Sequence, residues 1–215
     1  MKNKENKLTT SDIRDLVLEA GVGLIPCIGG PLATVLFGAK QTLALKRVES
    51  FLHELAETVK ELQIKFPELN EERKEQLADL IMKVTTHVES ESRQEKRHYF
   101  KLFLINSFRS TGDVSFDIEE FFLDALNTFN LIDIKILSNL MRKPEQIKST
   151  EISIVGIDQH AIFGSIGRLN THGLVSIGTT GLTFGGLGDK AFNEHVQISS
   201  FGKTFYNFCL KDPLV

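Results

Sequence analysis

Four groups of residues in this sequence have side chains that could take part in chemistry. Cys27 and Cys209 could each supply a thiolate nucleophile, and Gly202-Lys203-Thr204 has the ending of a phosphate-binding loop. Six histidines could ligate a metal ion, and the polar residues of segment 159–170 could contact DNA bases. Each of these roles demands particular neighbours at particular spacings.

Most of those neighbours are missing from the sequence. A phosphate-binding loop opens with a glycine five residues before the Gly-Lys-Thr, because its backbone amides must wrap the phosphate, and Gln197 occupies that position. No two histidines stand four residues apart, as they do in the helical zinc site of metalloproteases. Cys209 lies among Tyr206, Phe208 and Leu210, where we expect a small buried side chain. The sequence therefore predicts a protein that is not an enzyme and that binds neither a metal nor a cofactor.

The composition is that of an ordinary globular protein. Hydrophobic residues make up 41% of the 215 residues and charged residues 25%, which excludes global disorder. The formal net charge is −3, so the chain as a whole does not attract nucleic acid or anionic lipid. Two cysteines form no disulfide framework, and this predicts a reducing, cytoplasmic environment.

The most unusual stretch is Ala20–Ala39, which holds twenty consecutive residues without a charge. A straight helix of that length would reach about 30 Å, the thickness of a bilayer core. Five glycines and two prolines interrupt it, and proline in a helix interior removes a backbone hydrogen bond. We therefore predict a hairpin, with two short apolar arms near Asp12–Ile25 and Pro31–Ala44. The residues assigned to this apolar hairpin are Leu24, Ile25, Pro26, Ile28, Gly29, Gly30, Pro31, Leu32, Val35, Leu36 and Phe37.

Lysines and arginines flank the apolar hairpin on both sides, before it at Lys7 and Arg14 and after it at Lys40 and Lys46. Basic flanks suit a segment that dips into an anionic membrane surface. They suit equally the solvated face of a helical bundle that keeps the hairpin as core. The sequence leaves both alternatives open.

Two long amphipathic helices are predicted after the hairpin. From about Thr42 to Phe66 apolar residues recur every three or four positions, and the helix ends before Pro67. Asn70 caps the next helix, in which the polar run 89–96 predicts either projection into solvent or a bend. After a flexible N-terminus at 1–10, residues 11–111 are thus predicted to form a helical bundle. The stripe assigned to helix packing is Leu45, Val48, Leu52, Leu55, Val59 and Leu62.

Residues 113–215 have the order of elements of a winged helix. In particular, SIGRLNTHGLV and VQISSFGKTFYNFC resemble the recognition helix, wing and closing helix of bacterial winged-helix domains. The fold class is therefore mainly α, with a helical bundle followed by a winged-helix-like α+β domain. The expected elements are helices near Asp117–Leu126 and Leu131–Met141, a strand or short distorted helix at Glu151–Ile157, a helix from Asp158 to Gly173, strands at Leu174–Ile177 and Glu194–Ile198, and a final helix near Ser200–Leu210.

Charge argues against DNA binding by this second domain. Residues 113–215 carry eight basic and twelve acidic side chains, a net charge of −4, and phosphate contacts dominate DNA affinity. Arg168 is the single cation of the would-be recognition helix. Packing or protein contact is the expected use of this domain, and DNA contact is the alternative. The residues that could touch DNA are Gln159, Ser165, Arg168 and Asn170.

The order of segments as a whole also resembles bacterial abortive-infection alpha-type proteins. The likeness lies in GVGLIPCIGGPLA, in the two long helices, in RHYFKLFLINSF and in the ending ISSFGKTFYNFC. This resemblance implies a role in phage defence and supplies no catalytic residues.

Three hypotheses of function follow. The first is a non-enzymatic effector, active on a membrane or through oligomers by way of the apolar hairpin. The second is a DNA-binding regulator that dimerises through the long helices, and the third is a protein-interaction scaffold with the hairpin as core. The expected partners are a second copy of the chain or another protein, with an anionic membrane surface as a further candidate. The expected location is the cytoplasm, including the inner face of the inner membrane.

Overall fold

A computed structural model describes residues 43–62, 69–110, 114–143, 145–179 and 194–212 of the chain. The described residues are mainly helical and include one small antiparallel sheet, which confirms the predicted fold class. The chain divides into two compact units, Met1–Asp124 and Ala125–Val215. The sequence predicts this division near residue 112, whereas in the structure it falls within the helix Phe116–Thr128.

The described part of the first unit consists of long helices that pack on one another. Asn70 begins the second of them as predicted, since its side-chain oxygen accepts the backbone N–H of Arg73 at 2.8 Å. Glu71 and Glu72 stand in the first turn, where carboxylates are favoured by the helix dipole. The helices are α1 (Leu43–Glu61), α2 (Glu71–Ser90), α3 (Gln94–Arg109) and α4 (Phe116–Thr128), the last of which runs across the division into the second unit.

The apolar faces of α1, α2 and α3 meet in one core. Of the stripe predicted on α1, Val48, Leu52, Leu55 and Val59 are buried and Leu62 is half-buried, while Leu45 lies within the helix. Burial of such side chains contributes roughly 1.5–3 kcal/mol each relative to exposure. The other large buried side chains of this core include Leu77, Leu80, Val84, Val88, Phe100, Phe103 and Phe108.

The polar run 89–96 separates α2 from α3. Helix α2 ends at Ser90, and α3 begins at Gln94. The guanidinium of Arg97 donates to the carbonyl oxygens of Glu91 and Ser92, at 3.0 and 2.9 Å. These bonds satisfy carbonyls that the end of the helix leaves without partners.

The second unit carries the sheet. Its strands are antiparallel in the order β1-β3-β2, and Val196 of β3 lies opposite Ile147 on one side and Ile177 on the other. A helix precedes β2, and the two strands β2 and β3 pair directly; the winged-helix resemblance stays a prediction from the sequence. The elements are α5 (Leu131–Arg142), β1 (Ile147–Lys148), a 3₁₀ turn (Ser149–Glu151), α6 (Gln159–Thr171), β2 (Val175–Thr179), β3 (Glu194–Ile198), α7 (Ser200–Phe205) and a π-helical turn (Tyr206–Leu210).

The segment between β1 and α6 differs from the prediction. A strand or short helix was expected at Glu151–Ile157, but beyond the 3₁₀ turn this segment has no regular structure and turns at Gly156, where φ is +79°. The side-chain amide of Gln159 donates to the carbonyls of Ser149 and Ile152, at 3.2 and 3.4 Å. Strand β1 was missed by the sequence analysis, because two residues are too few to show alternation.

Candidate functional site

Arg168, one of the four residues that could touch DNA under the alternative hypothesis, forms an ion pair within the second unit. Its Nε and Nη2 donate to the two carboxylate oxygens of Asp133, at 3.0 and 3.1 Å. The Asp133 carboxylate is fully buried and also accepts the backbone N–H of Asn130, at 2.8 Å, in the capping box that opens α5. A forked, charge-assisted contact of this kind fixes the guanidinium plane. Arg168 therefore ties α6 to the start of α5.

The other three candidates for DNA contact do not share a surface with Arg168. Ser165 is buried, and the amide of Gln159 is committed to the backbone of the preceding segment. Asn170 is the only one of the four that is exposed. Of the four residues that could touch DNA, Asn170 is therefore the one whose side chain remains accessible to a partner.

The exposed positions of α6 are mostly small uncharged residues, together with His160 and Asn170. Ala161, Gly164, Gly167 and Thr171 are exposed along it. A Cβ added at Gly164 or Gly167 would meet no atom within 4 Å. Phosphate recognition depends on cations, and none of the exposed residues of α6 is a lysine or an arginine.

We expect Arg168→Ala to lower the free energy of unfolding of the second unit by about 2 kcal/mol, because it leaves the buried Asp133 carboxylate without its cation. Tyr206 is the only tyrosine in this unit and the chain has no tryptophan, so urea unfolding followed by tyrosine fluorescence in a Tyr99→Phe background isolates it. Lys135→Ala, on an exposed position of α5, is the matched control and should change stability by less than about 0.5 kcal/mol. Equal stability of both variants would show that the Arg168–Asp133 contact contributes nothing measurable to the free energy of unfolding.

The glycine of the Gly-Lys-Thr sequence is a packing position, while Lys203 and Thr204 are exposed. The backbone N–H of Gly202 donates to Ser199 Oγ at 2.8 Å, and that hydroxyl donates to the carbonyl of Gly173 at 2.6 Å. A Cβ at Gly202 would lie 1.9 Å from the carbonyl oxygen of Leu174. Glycine is therefore required here by the close approach of α7 to the start of β2.

Cys209 is fully buried, as expected for a small apolar side chain. Burial raises the pKa of its thiol well above the ordinary value. The thiolate, which is the nucleophilic form, is therefore disfavoured.

A charged cluster at the junction of α2 and α3 escaped the sequence analysis. Lys96 is buried, with its Nζ 3.7 Å from a carboxylate oxygen of Glu91 and 6.0 Å from the ring centroid of Phe100. His87 stacks on the same ring with a centroid distance of 5.8 Å, and burial lowers its pKa. The sequence signal that was available is the alternation of acids and bases in ESESRQEK directly before an aromatic stretch.

Glu91 gives this junction a dependence on pH. Hydrogen bonds from Arg93, at 2.9 and 2.8 Å, lower the pKa of Glu91 from 4.5 to about 2. A carboxylate with a lowered pKa stabilises the fold above its unfolded pKa, and this contribution is lost as the pH falls from about 4.5 towards about 2.

We therefore expect Glu91→Gln to be less stable than the parent near neutral pH and to approach it near pH 2. Thermal unfolding measured between these limits in a Tyr206→Phe background, where Tyr99 in α3 reports the first unit, tests this. Glu89→Gln, at an exposed position of α2, is the control and should follow the parent. Parallel curves for Glu91→Gln and the parent would contradict the expectation.

Within the described ranges, no three or more His, Cys, Asp or Glu side chains are grouped to hold a metal ion. None of the helices in these ranges has the length and apolar character needed to cross a membrane. The eleven residues assigned to the apolar hairpin, Leu24 to Phe37, lie outside the described residues.

This chain has no match among family models, curated proteins or solved structures. The resemblance to abortive-infection alpha-type proteins therefore stays a prediction from the motifs that suggested it. The residues of the chain itself are therefore the basis for its proposed function.

Proposed function

We propose that this protein is a non-enzymatic effector that acts through its apolar hairpin, on a membrane or within an oligomer of its own copies. One observation carries the proposal: Ala20–Ala39 holds twenty consecutive residues without a charge, with lysine and arginine side chains on both sides of it, and amphipathic helices follow it along the chain. In water such a segment must be covered, and a membrane or a second copy of the chain could cover it.

The residue types of the hairpin suit both settings. Glycines let helices approach closely where lipid or another protein excludes water. Each lysine or arginine of the flanks would contribute about 1 kcal/mol at an anionic surface. The site of action would then be the cytoplasm and the inner face of the inner membrane, and the motif resemblance suggests phage defence as the biological role.

The second unit supports a role in protein contact. Arg168 is held by Asp133, and the outward face of α6 carries no charge among its small side chains. A winged-helix-like unit of this kind would serve assembly or sensing. The helical core of the first unit would shield the hairpin until a partner or a trigger releases it.

Leakage of dye from anionic liposomes tests the membrane form of the proposal, and sedimentation velocity tests the oligomeric form. Gly29→Asp with Gly30→Asp should abolish leakage or assembly while circular dichroism stays unchanged. Gln94→Glu with Asn207→Asp adds the same charge at exposed positions and should leave both activities intact. A chain lacking residues 12–44 should lose membrane sedimentation and any effect on cell viability. If neither leakage nor assembly depends on the hairpin, the proposal fails.

The other two hypotheses make different predictions. A DNA-binding regulator requires a salt-dependent shift of duplex DNA that Arg168→Ala removes without loss of fold. A scaffold with the hairpin as core requires a monodisperse protein whose Cys27 resists thiol labelling. Either result, combined with a hairpin that affects neither leakage nor assembly, would favour that alternative over the effector hypothesis.

A further inference from the structure

A cleft of about 260 Å³ opens in the second unit beside the C-terminal end of α5. One wall is formed by α5 and by Lys143, directly after it, and the other by the segment that follows β1. The side chains that matter for its chemistry are Asn139, Arg142, Lys143, Glu151, Ile152 and Ser153.

The cleft borders the segment that departs from a regular winged helix. A helix-turn-helix has a full helix before its recognition helix, whereas this chain has only the 3₁₀ turn Ser149–Glu151 and an irregular run at that point. The amide of Gln159 holds the carbonyls of Ser149 and Ile152, so the backbone of this wall is fixed in place.

The lining of the cleft carries more positive than negative side chains. Two of the eight basic residues of 113–215, Arg142 and Lys143, line it, together with one acidic residue, Glu151. Arg142 and Lys143 are exposed at the cleft, and within the described residues neither side chain has an ion-pair or hydrogen-bond partner. Arg142 and Lys143 bring two full positive charges to the cleft. The negative charges beside it are smaller in sum: about half a charge at the C-terminal end of α5, from the helix dipole, and one full charge on Glu151.

We propose that this cleft binds a small phosphorylated molecule, of the class of sugar phosphates and nucleoside monophosphates. The phosphate contacts Arg142, whose fork of donors matches phosphate oxygens, and Lys143. Glu151, on the opposite wall, accepts hydrogen bonds from hydroxyl or amino groups of the ligand, and Ile152 supplies an apolar floor. The volume lies just below the range of about 300–1,000 Å³ for drug-sized ligands, which fits a molecule of this size.

Isothermal titration of the full-length protein with AMP and ribose 5-phosphate tests the proposal, with adenosine as the ligand that lacks the phosphate. We expect saturable binding of at least one phosphate ester below about 1 mM and at least tenfold weaker binding of adenosine. Arg142→Gln should weaken the binding of the phosphate ester about tenfold, since it removes a charge-assisted contact. Lys135→Gln removes a charge from the same helix outside the cleft and should change the affinity less than twofold.

Three results would overturn the proposal. They are no saturable binding of either phosphate ester up to about 10 mM, equal affinities for AMP and adenosine, and equal weakening by Arg142→Gln and Lys135→Gln. The last would show diffuse attraction by the basic stretch instead of a site. Because no residue of the hairpin takes part, failure here leaves the proposed effector function untouched, and failure of that function leaves the cleft untouched.

Discussion

Replacement of Gly202 by alanine is expected to lower the free energy of unfolding of the second unit by about 3 kcal/mol or more. The added Cβ would lie 1.9 Å from the carbonyl oxygen of Leu174 and 2.8 Å from its carbon, and real Cβ atoms do not approach so closely. These are backbone atoms, so no side-chain rotation can relieve the clash. Helix α7 would have to move away from the start of β2, and the Ser199 hydrogen bonds that join them would break.

Gly164→Ala is the matched control, because it makes the same chemical change in the same unit. Gly164 lies on the exposed face of α6, where an added Cβ meets nothing within 4 Å. Alanine is the better helix former, so this variant should gain about 0.5–1 kcal/mol. Urea unfolding of both variants in the Tyr99→Phe background gives the comparison. Equal effects would mean that α7 does not pack against β2 as described.

Replacement of Glu119 by alanine is expected to lower the free energy of unfolding of the first unit by about 3–5 kcal/mol. The fully buried carboxylate of Glu119 accepts two hydrogen bonds from Arg73, at 2.6 and 2.8 Å. The same guanidinium donates to the carbonyl of Ser107 at 3.0 Å, so α2, α3 and the start of α4 are joined at one point. Without Glu119 the charge of Arg73, which is only 17% exposed, loses its counterion.

Glu120→Ala is the neighbouring control. Glu120 pairs with Lys83, and the two side chains are 34% and 47% exposed. Ion pairs with this much exposure contribute about 0–1 kcal/mol, so the loss should stay below about 1 kcal/mol. Unfolding is followed by Tyr99 fluorescence in the Tyr206→Phe background. If the two variants lose similar stability, the Arg73–Glu119 contact is not the junction that the structure indicates.

These results would bear on function as well as stability. The Gly-Lys-Thr sequence is the nearest approach to a phosphate-binding motif in the chain, and its glycine is explained by packing against β2. A cleft on another part of the same unit offers two cations instead, Arg142 and Lys143, which pair with no residue in the part of the chain that the structure describes. Mutations that test phosphate binding should therefore be placed in the cleft and not in the motif.

Local patterns in the chain identified most of the helices. The stripe on α1, the caps at Asn70 and Asp158, and the end of α6 at Gly173, where φ is +70°, all depend on residues within four positions of one another. The short strand β1 and the irregular run after it could not be identified in this way. Their form depends on pairing with β3, some fifty residues later, and on the side chain of Gln159.

The roles of single polar residues were harder to infer than the helices. Arg168 was named among the residues that could touch DNA, and the polar run 89–96 was predicted only to project into solvent or to bend. Arg168 meets Asp133 across 35 positions of the chain, and Arg73 meets Glu119 across 46. Spacing along the sequence carries no signal for contacts of this range.

By itself, the amino-acid sequence determined the fold class, the helical packing faces, the acidic balance of the second unit and the presence of a twenty-residue apolar segment. Only the tertiary structure decided that Arg168 is held by Asp133, that Gly202 is a packing glycine and that Arg142 and Lys143 line a cleft. The physical reason is the range of the interactions involved. Periodicity, capping and net charge arise from neighbouring residues or from sums over the chain, whereas ion pairs, close approaches and clefts exist only where distant segments meet.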